Sequence, residues 1–75
     1  LVDVRILFAV LLKSLTTAVI LLHNHPSGTL KPSEADKQLT HKIIKAGVLL
    51  DIKVLDHLIL TPNGDYYSFA DNGIL

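Results

Sequence analysis

Five apolar residues, Ala18 to Leu22, run without a break into His23-Asn24-His25-Pro26. Such a run suits a strand buried on both faces, as in a parallel sheet. The flanking patterns fit that reading. Val2 to Leu15 carries Val4, Leu7, Phe8, Leu11, Leu12 and Leu15 at i, i+3, i+4 spacing, the core face of a helix, and Thr16 and Thr17 break it. His23 to Pro32 contains two Pro and one Gly and reads as a loop. Ser33 with Asp36 three residues on resembles a capping box, and Leu39, Ile43, Ala46 or Gly47, and Leu50 then form one apolar stripe of a second helix. Ile52 to Leu60 reads as a second strand, Pro62-Asn63-Gly64-Asp65 as a turn, and Tyr66 to Phe69 as a short partner strand in a hairpin. The order α-β-α-β-β predicts α/β layering with the first strand central.

Length bounds the rest. Seventy-five residues make one compact unit, and at that size folding buries only about 60% of the unfolded chain's surface. Apolar residues are 49% of the chain but aromatic residues only 5%, with a mean hydropathy of +0.45. That aliphatic content exceeds what a small free-standing domain needs, so a core piece of something larger is expected. A start at Leu1 with no Met in the chain points the same way, to N-terminal truncation.

Seven basic and seven acidic side chains cancel, so direct nucleic-acid binding by this segment is not expected. There is no cysteine, hence no disulfide, thiolate nucleophile or sulfur ligand, and any metal must be held by His, Asp or Glu. A membrane span is not expected either. Lys13 sits at the centre of the mostly apolar stretch Ile6–Leu22, where a Lys costs roughly 3 kcal/mol on insertion scales. The unbroken run Ile6–Leu12 falls far short of the ~20 residues a spanning helix needs. Acidic Asp3 and the lack of a small-x-small cleavage site do not fit a signal peptide.

One stretch carries chemistry: His23-Asn24-His25-Pro26-Ser27-Gly28, then Pro32-Ser33-Glu34-Ala35-Asp36. His23 and His25 leave a strand at spacing i, i+2, so both imidazoles point to the same side. They lie at the strand's C-terminal end, where ligands bind in open α/β sheets. Asp36, in the first helical turn, can reach the same point. Two imidazoles and a carboxylate, with a fourth position open, follow the coordination logic of catalytic zinc. The plainer reading of Ser33 and Asp36 is a helix cap worth about 1 kcal/mol, and both roles can coexist. His57 reads as a hydrogen-bonded core histidine, His41 as a solvated helix residue, Asn24 as facing away from the metal, and Gly47 as a site of close helix packing.

These residues resemble the JAMM (MPN-type) zinc metallopeptidase motif, His-x-His, seven residues, Ser-x-x-Asp, with Pro26 to Pro32 as the intervening seven. The words "HNHPSG", "PSEAD" and "VLDHLIL" are similar to the C-terminal domain of the bacterial RadC family, nearly end to end. The resemblance implies an MPN-like (cytidine-deaminase-like) layered fold, of which residues 1–75 hold the C-terminal part as a single partial domain. It implies Zn2+ held by His23, His25 and Asp36, with Ser33 positioning or stabilising the oxyanion as zinc-activated water attacks an amide carbonyl. The substrate would be a peptide or protein, cleaved at a peptide or isopeptide bond. JAMM enzymes also use a glutamate on an upstream strand as general acid/base. The sole glutamate here is Glu34, expected to face solvent, and the only acid before His23 is Asp3. The 75 residues alone are therefore expected to lack activity. The competing reading, from the family's traditional name, is a non-catalytic or degenerate accessory module of DNA repair. A cytoplasmic location and homo-oligomers are further expectations. Cytidine-deaminase chemistry is excluded, since there is no His-x-Glu and no Pro-Cys-x-x-Cys.

Overall fold

A computed structural model describes residues 3–75 as α1 (Val4–Lys13), β1 (Ala18–Asn24), α2 (Glu34–Leu49), β2 (Lys53–Leu60) and β3 (Tyr66–Ser68). The fold is α/β in the expected order; the proposed start of the first helix at Val2 lies outside the described residues. Asp3 caps α1 by accepting the Arg5 N–H.

Both helices stop at residues the sequence did not mark. The Thr16 N–H reaches the Leu11 carbonyl and the Leu15 N–H the Leu12 carbonyl, with Leu15 at φ 54°. The Ile52 N–H reaches the Gly47 carbonyl and the Asp51 N–H the Val48 carbonyl, with Asp51 at φ 57°. These are Schellman closures, normally made by glycine. α1 therefore ends at Lys13 and not at Leu15.

The sheet has the order β1-β2-β3, with β1 parallel and β3 antiparallel to β2. This corrects the expectation that the first strand is central. α2 carries the chain over to lay β2 along one edge of β1, and the hairpin turn then occupies the other edge of β2 with β3, so β2 is central. Gly64 takes the positive φ of 85° that this turn requires. A bulge between Val19 and Ile20 leaves Leu55 without a partner: Val19 pairs with Val54 but Ile20 pairs with Asp56.

The core forms where Phe8, Leu11, Ile43 and Ile52 meet Val19, Leu21 and Val54. Burying each large side chain stabilises the fold by roughly 1.5–3 kcal/mol. Both helices contribute to this one face, so β1 is not buried on two sides as expected. Ile20 is 54% and Leu22 66% exposed on the opposite face, near exposed Leu55. No strand pairs with the outer edge of β1 among the described residues. An uncovered aliphatic face beside an open edge recruits partners. The isolated chain is expected to self-associate, and sedimentation showing a clean monomer at high concentration would contradict this. Among the described residues no helix is long and apolar enough to cross a membrane.

Gly47 is buried, but its constraint comes from the strand and not from the other helix. A Cβ there would collide with the carbonyl oxygen of Ile52, which enters β2 directly after the helix. Gly47→Ala is expected to destabilise by about 1–3 kcal/mol, the usual cost of overpacking, read as a lower denaturant midpoint.

Candidate metal centre

The end of β1 extends past the apolar run. His23 and Asn24 remain in the ladder, opposite Ile59 and Leu60, so the loop starts later than expected. The His25 N–H still bonds the Leu60 carbonyl at 2.8 Å. Regular strand pairing thus sets both histidines on the helix side of the sheet, while Asn24 is exposed, as expected. Their rings meet edge to face with centroids 4.5 Å apart.

Asp36 comes from the first turn of α2. Ser33 is the N-cap: its Oγ accepts from the Asp36 N–H at 3.0 Å, and the Asp36 Oδ2 accepts from the Ser33 N–H at 2.8 Å. This closed capping box holds the carboxylate on the histidine side. Asp36 Oδ1 lies 3.7 Å from His23 Nδ1, and Oδ2 lies 3.3 Å from His25 Nε2. Burial raises the Asp36 pKa, but the Ser33 N–H and the nearby imidazoles more than offset it, holding the carboxyl below its usual range. It therefore stays ionised at neutral pH.

One nitrogen of His25 is already assigned. Its Nδ1 lies 2.7 Å from the Thr29 carbonyl, which can only accept, so Nδ1 carries a proton and Nε2 is the nitrogen turned towards Asp36. Metal-binding histidines are commonly held this way.

The three side chains offer one ligand atom each, all within 4.8 Å of one another. Tetrahedral zinc with bonds near 2.0–2.1 Å needs ligand atoms about 3.3–3.5 Å apart, so small side-chain rotations close the difference. The donor set of two imidazoles and one carboxylate fits a divalent transition ion. His23, His25 and Asp36 are brought together as expected, and Ser33 stands beside them as the cap. Glu34 points to solvent, 82% exposed, with its carboxylate 3.9 Å from Lys37 Nζ. His41 is exposed on α2.

Beneath the cluster lies a polar pair, of which only His57 was expected. His57, 4% exposed, is hydrogen-bonded as expected: its Nδ1 is 2.6 Å from Thr40 Oγ1. Thr40 is fully buried and was not singled out. Its signal was spacing: Thr40 follows Asp36 by one helical turn and interrupts the apolar neighbourhood of Leu39 and Ile43. Burial, and then the charge on His23, push the His57 pKa below the usual imidazole range, against the pull of Asp36 and Asp56.

Asp56 works on the far side of the same strand. It accepts from Ser68 Oγ at 2.6 Å, from the Ala70 N–H at 3.0 Å and from the His57 N–H at 2.7 Å. Burial raises its pKa, but these three bonds outweigh it and hold the carboxyl low. A depressed folded pKa gives stability that is complete above the unfolded value and is lost as pH falls through the folded one. Stability is therefore expected to fall with acidification through and below the ordinary carboxylate range. Asp56→Asn should cost about 1.5–3 kcal/mol at neutral pH and flatten that acid limb, measured by urea unfolding across pH.

A small mixed sheet under two helices, with two histidines and an aspartate converging at the end of a parallel strand, defines an α/β domain with a candidate divalent-metal centre. Comparison with known proteins gives the family. The model for the RadC-like JAB domain matches residues 1–74. UPF0758 proteins of Flavobacterium johnsoniae and Porphyromonas gingivalis are 59% and 51% identical over 73 residues, which is 97% of this chain but 31% and 32% of theirs. A UPF0758 protein of Chlorobaculum tepidum is 45% identical over all of this chain and 33% of its own length. The chain belongs to the RadC-like JAB domain family. It spans about a third of the length of the curated relatives it matches.

Proposed function

We propose that this domain is a zinc-binding, JAMM-type metallopeptidase-like unit that hydrolyses a peptide or isopeptide bond, with Zn2+ held by His23, His25 and Asp36. The observation that supports it is the convergence of those three ligand atoms within 4.8 Å beside a capping Ser33. When bound there, Zn2+ supplies Lewis acidity and makes a nucleophile available at neutral pH. The remaining work belongs to the chain. Thr29 fixes the tautomer of His25 through its carbonyl. The capping box keeps Asp36 ionised and aimed. Ser33 Oγ accepts from the Asp36 N–H, so its own proton remains available to a carbonyl oxygen that gains negative charge.

One observation favours a second reading, a metal-binding accessory module without catalysis, of the kind the family's DNA-repair name implies. The only glutamate is paired with Lys37 at the surface and stands outside the three-residue cluster. Balanced charge argues against direct nucleic-acid contact in that role. The two readings separate in one assay: a full-length family member containing these residues is incubated with peptide and isopeptide substrates, with and without a zinc chelator. Chelator-sensitive cleavage supports the hydrolase. Zinc bound without any cleavage supports the accessory module.

A further inference from the structure

Thr40 makes two hydrogen bonds through a single hydroxyl. Its Oγ1 lies 2.8 Å from the Asp36 carbonyl oxygen and 2.6 Å from His57 Nδ1. A carbonyl cannot donate, so the hydroxyl proton goes to Asp36, and His57 must donate from Nδ1 to satisfy the second bond. That proton assignment makes the contacts directional: His57 to Thr40 to the backbone of Asp36.

The ring of His57 is fixed on other sides too. It stacks on fully buried Phe69, with centroids 4.5 Å apart and planes 11° apart. It also lies over the His23 ring, centroids 5.8 Å apart and planes 27° apart. One imidazole therefore touches the strand-borne half of the cluster directly and its helix-borne half through Thr40. The core packing of α2 alone would leave the sliding of that helix along the sheet to apolar contacts, which are non-directional. A buried polar bridge adds direction at that junction.

We infer that Thr40 and His57 are positioning residues of the metal centre, setting the separation between the strand-borne imidazoles and the carboxylate of Asp36. The inference rests on the metal-binding reading proposed above. Changes in groups that support metal ligands typically cost 10–100-fold in metal affinity.

The test is metal titration of the 75-residue chain, with Zn2+ for affinity and Co2+ for the visible spectrum of the bound ion. Thr40→Val keeps the shape and removes the hydroxyl; it should weaken Zn2+ binding about 10–100-fold and alter the Co2+ spectrum. Thr40→Ser, which restores the hydroxyl, should return affinity to within about threefold and recover the parent spectrum. A role in packing alone predicts the reverse order, since valine preserves packing better than serine. His57→Asn places an N–H near the position of Nδ1 but removes the ring beside His23, and should fall between the two. If Thr40→Val does not fold, judged by far-UV circular dichroism, His57→Asn and Thr40→Ser decide: unchanged affinity and spectrum in His57→Asn overturn the inference. Unchanged Zn2+ affinity in folded Thr40→Val overturns it as well. His25→Ala separates the two levels. If that variant also keeps full affinity, the metal-binding reading fails; if only the Thr40 and His57 variants keep it, the positioning role fails alone.

Discussion

After dialysis against Zn2+-containing buffer, the chain is expected to retain about one equivalent of zinc, and His25→Ala or Asp36→Ala to lose it. The reason is that each supplies one of only three protein donors in the cluster. Removing a donor should cost more than the roughly 100-fold upper end seen for groups that merely support donors. Asp36→Ala carries a second penalty, because the same carboxylate closes the capping box on the Ser33 N–H, and losing a cap costs about 1 kcal/mol. Asp36→Asn separates the effects: it can still accept from the Ser33 N–H but lacks the charge. Elemental analysis showing undiminished zinc in the His25→Ala/Asp36→Ala double variant would sink the ligand assignment. Binding should also weaken on acidification, because protonated imidazoles cannot ligate.

The second large effect is on hydrolysis. Assayed alone, the 75 residues are expected to cleave peptide or isopeptide substrates barely above background. Glu34 is at the surface, and no carboxylate other than Asp36 joins the cluster among the described residues. Nothing there is placed to take a proton from the nucleophile or to give one to the leaving amine, and such general acid–base help is worth typically 10²–10⁴-fold. In a full-length family member with chelator-sensitive activity, Ser33→Ala should lower kcat by about 10²–10³, the range for removing one oxyanion donor, with zinc content nearly unchanged. Loss of zinc in proportion to loss of rate would assign Ser33 to the cap alone. Peptidase activity from the 75 residues that Glu34→Gln abolishes would show that the base has been misplaced.

Much of this centre was legible in the sequence because its geometry is local. The i, i+2 spacing of His23 and His25 needs only a strand, and the Ser33 to Asp36 spacing needs only one helical turn. What brings the two halves together is the crossover of α2, and the apolar stripe from Leu39 to Leu50 announced that helix. The illegible parts depend on partners distant in sequence. Thr40 has no local sign of its hydrogen bond to His57, seventeen residues away. The helix ends were blurred because Leu15 and Asp51 occupy left-handed positions where glycine would have been the signal. The apolar run Ala18–Leu22 suits burial on both faces, yet both helices pack on one face and leave Ile20 and Leu22 uncovered. A hydrophobic run reports that a surface can be buried, and does not say what covers it.

The bulge at Leu55 has a consequence for chain length. Val54, His57 and Ile59 all share a face with the helices, although Val54 and His57 are three residues apart, an odd number that strict alternation forbids. Leu55 absorbs the discrepancy. Deleting that one residue would straighten β2 and still leave every other side chain on its present face. Deleting any residue from 58 to 60 would instead turn over everything on one side of the cut, sending either His57 or the residues that anchor the hairpin to the wrong surface. A one-residue gap at position 55 in a relative thus marks a flatter strand with its centre intact, whereas a gap a few residues later marks a chain in which the strand no longer supports it.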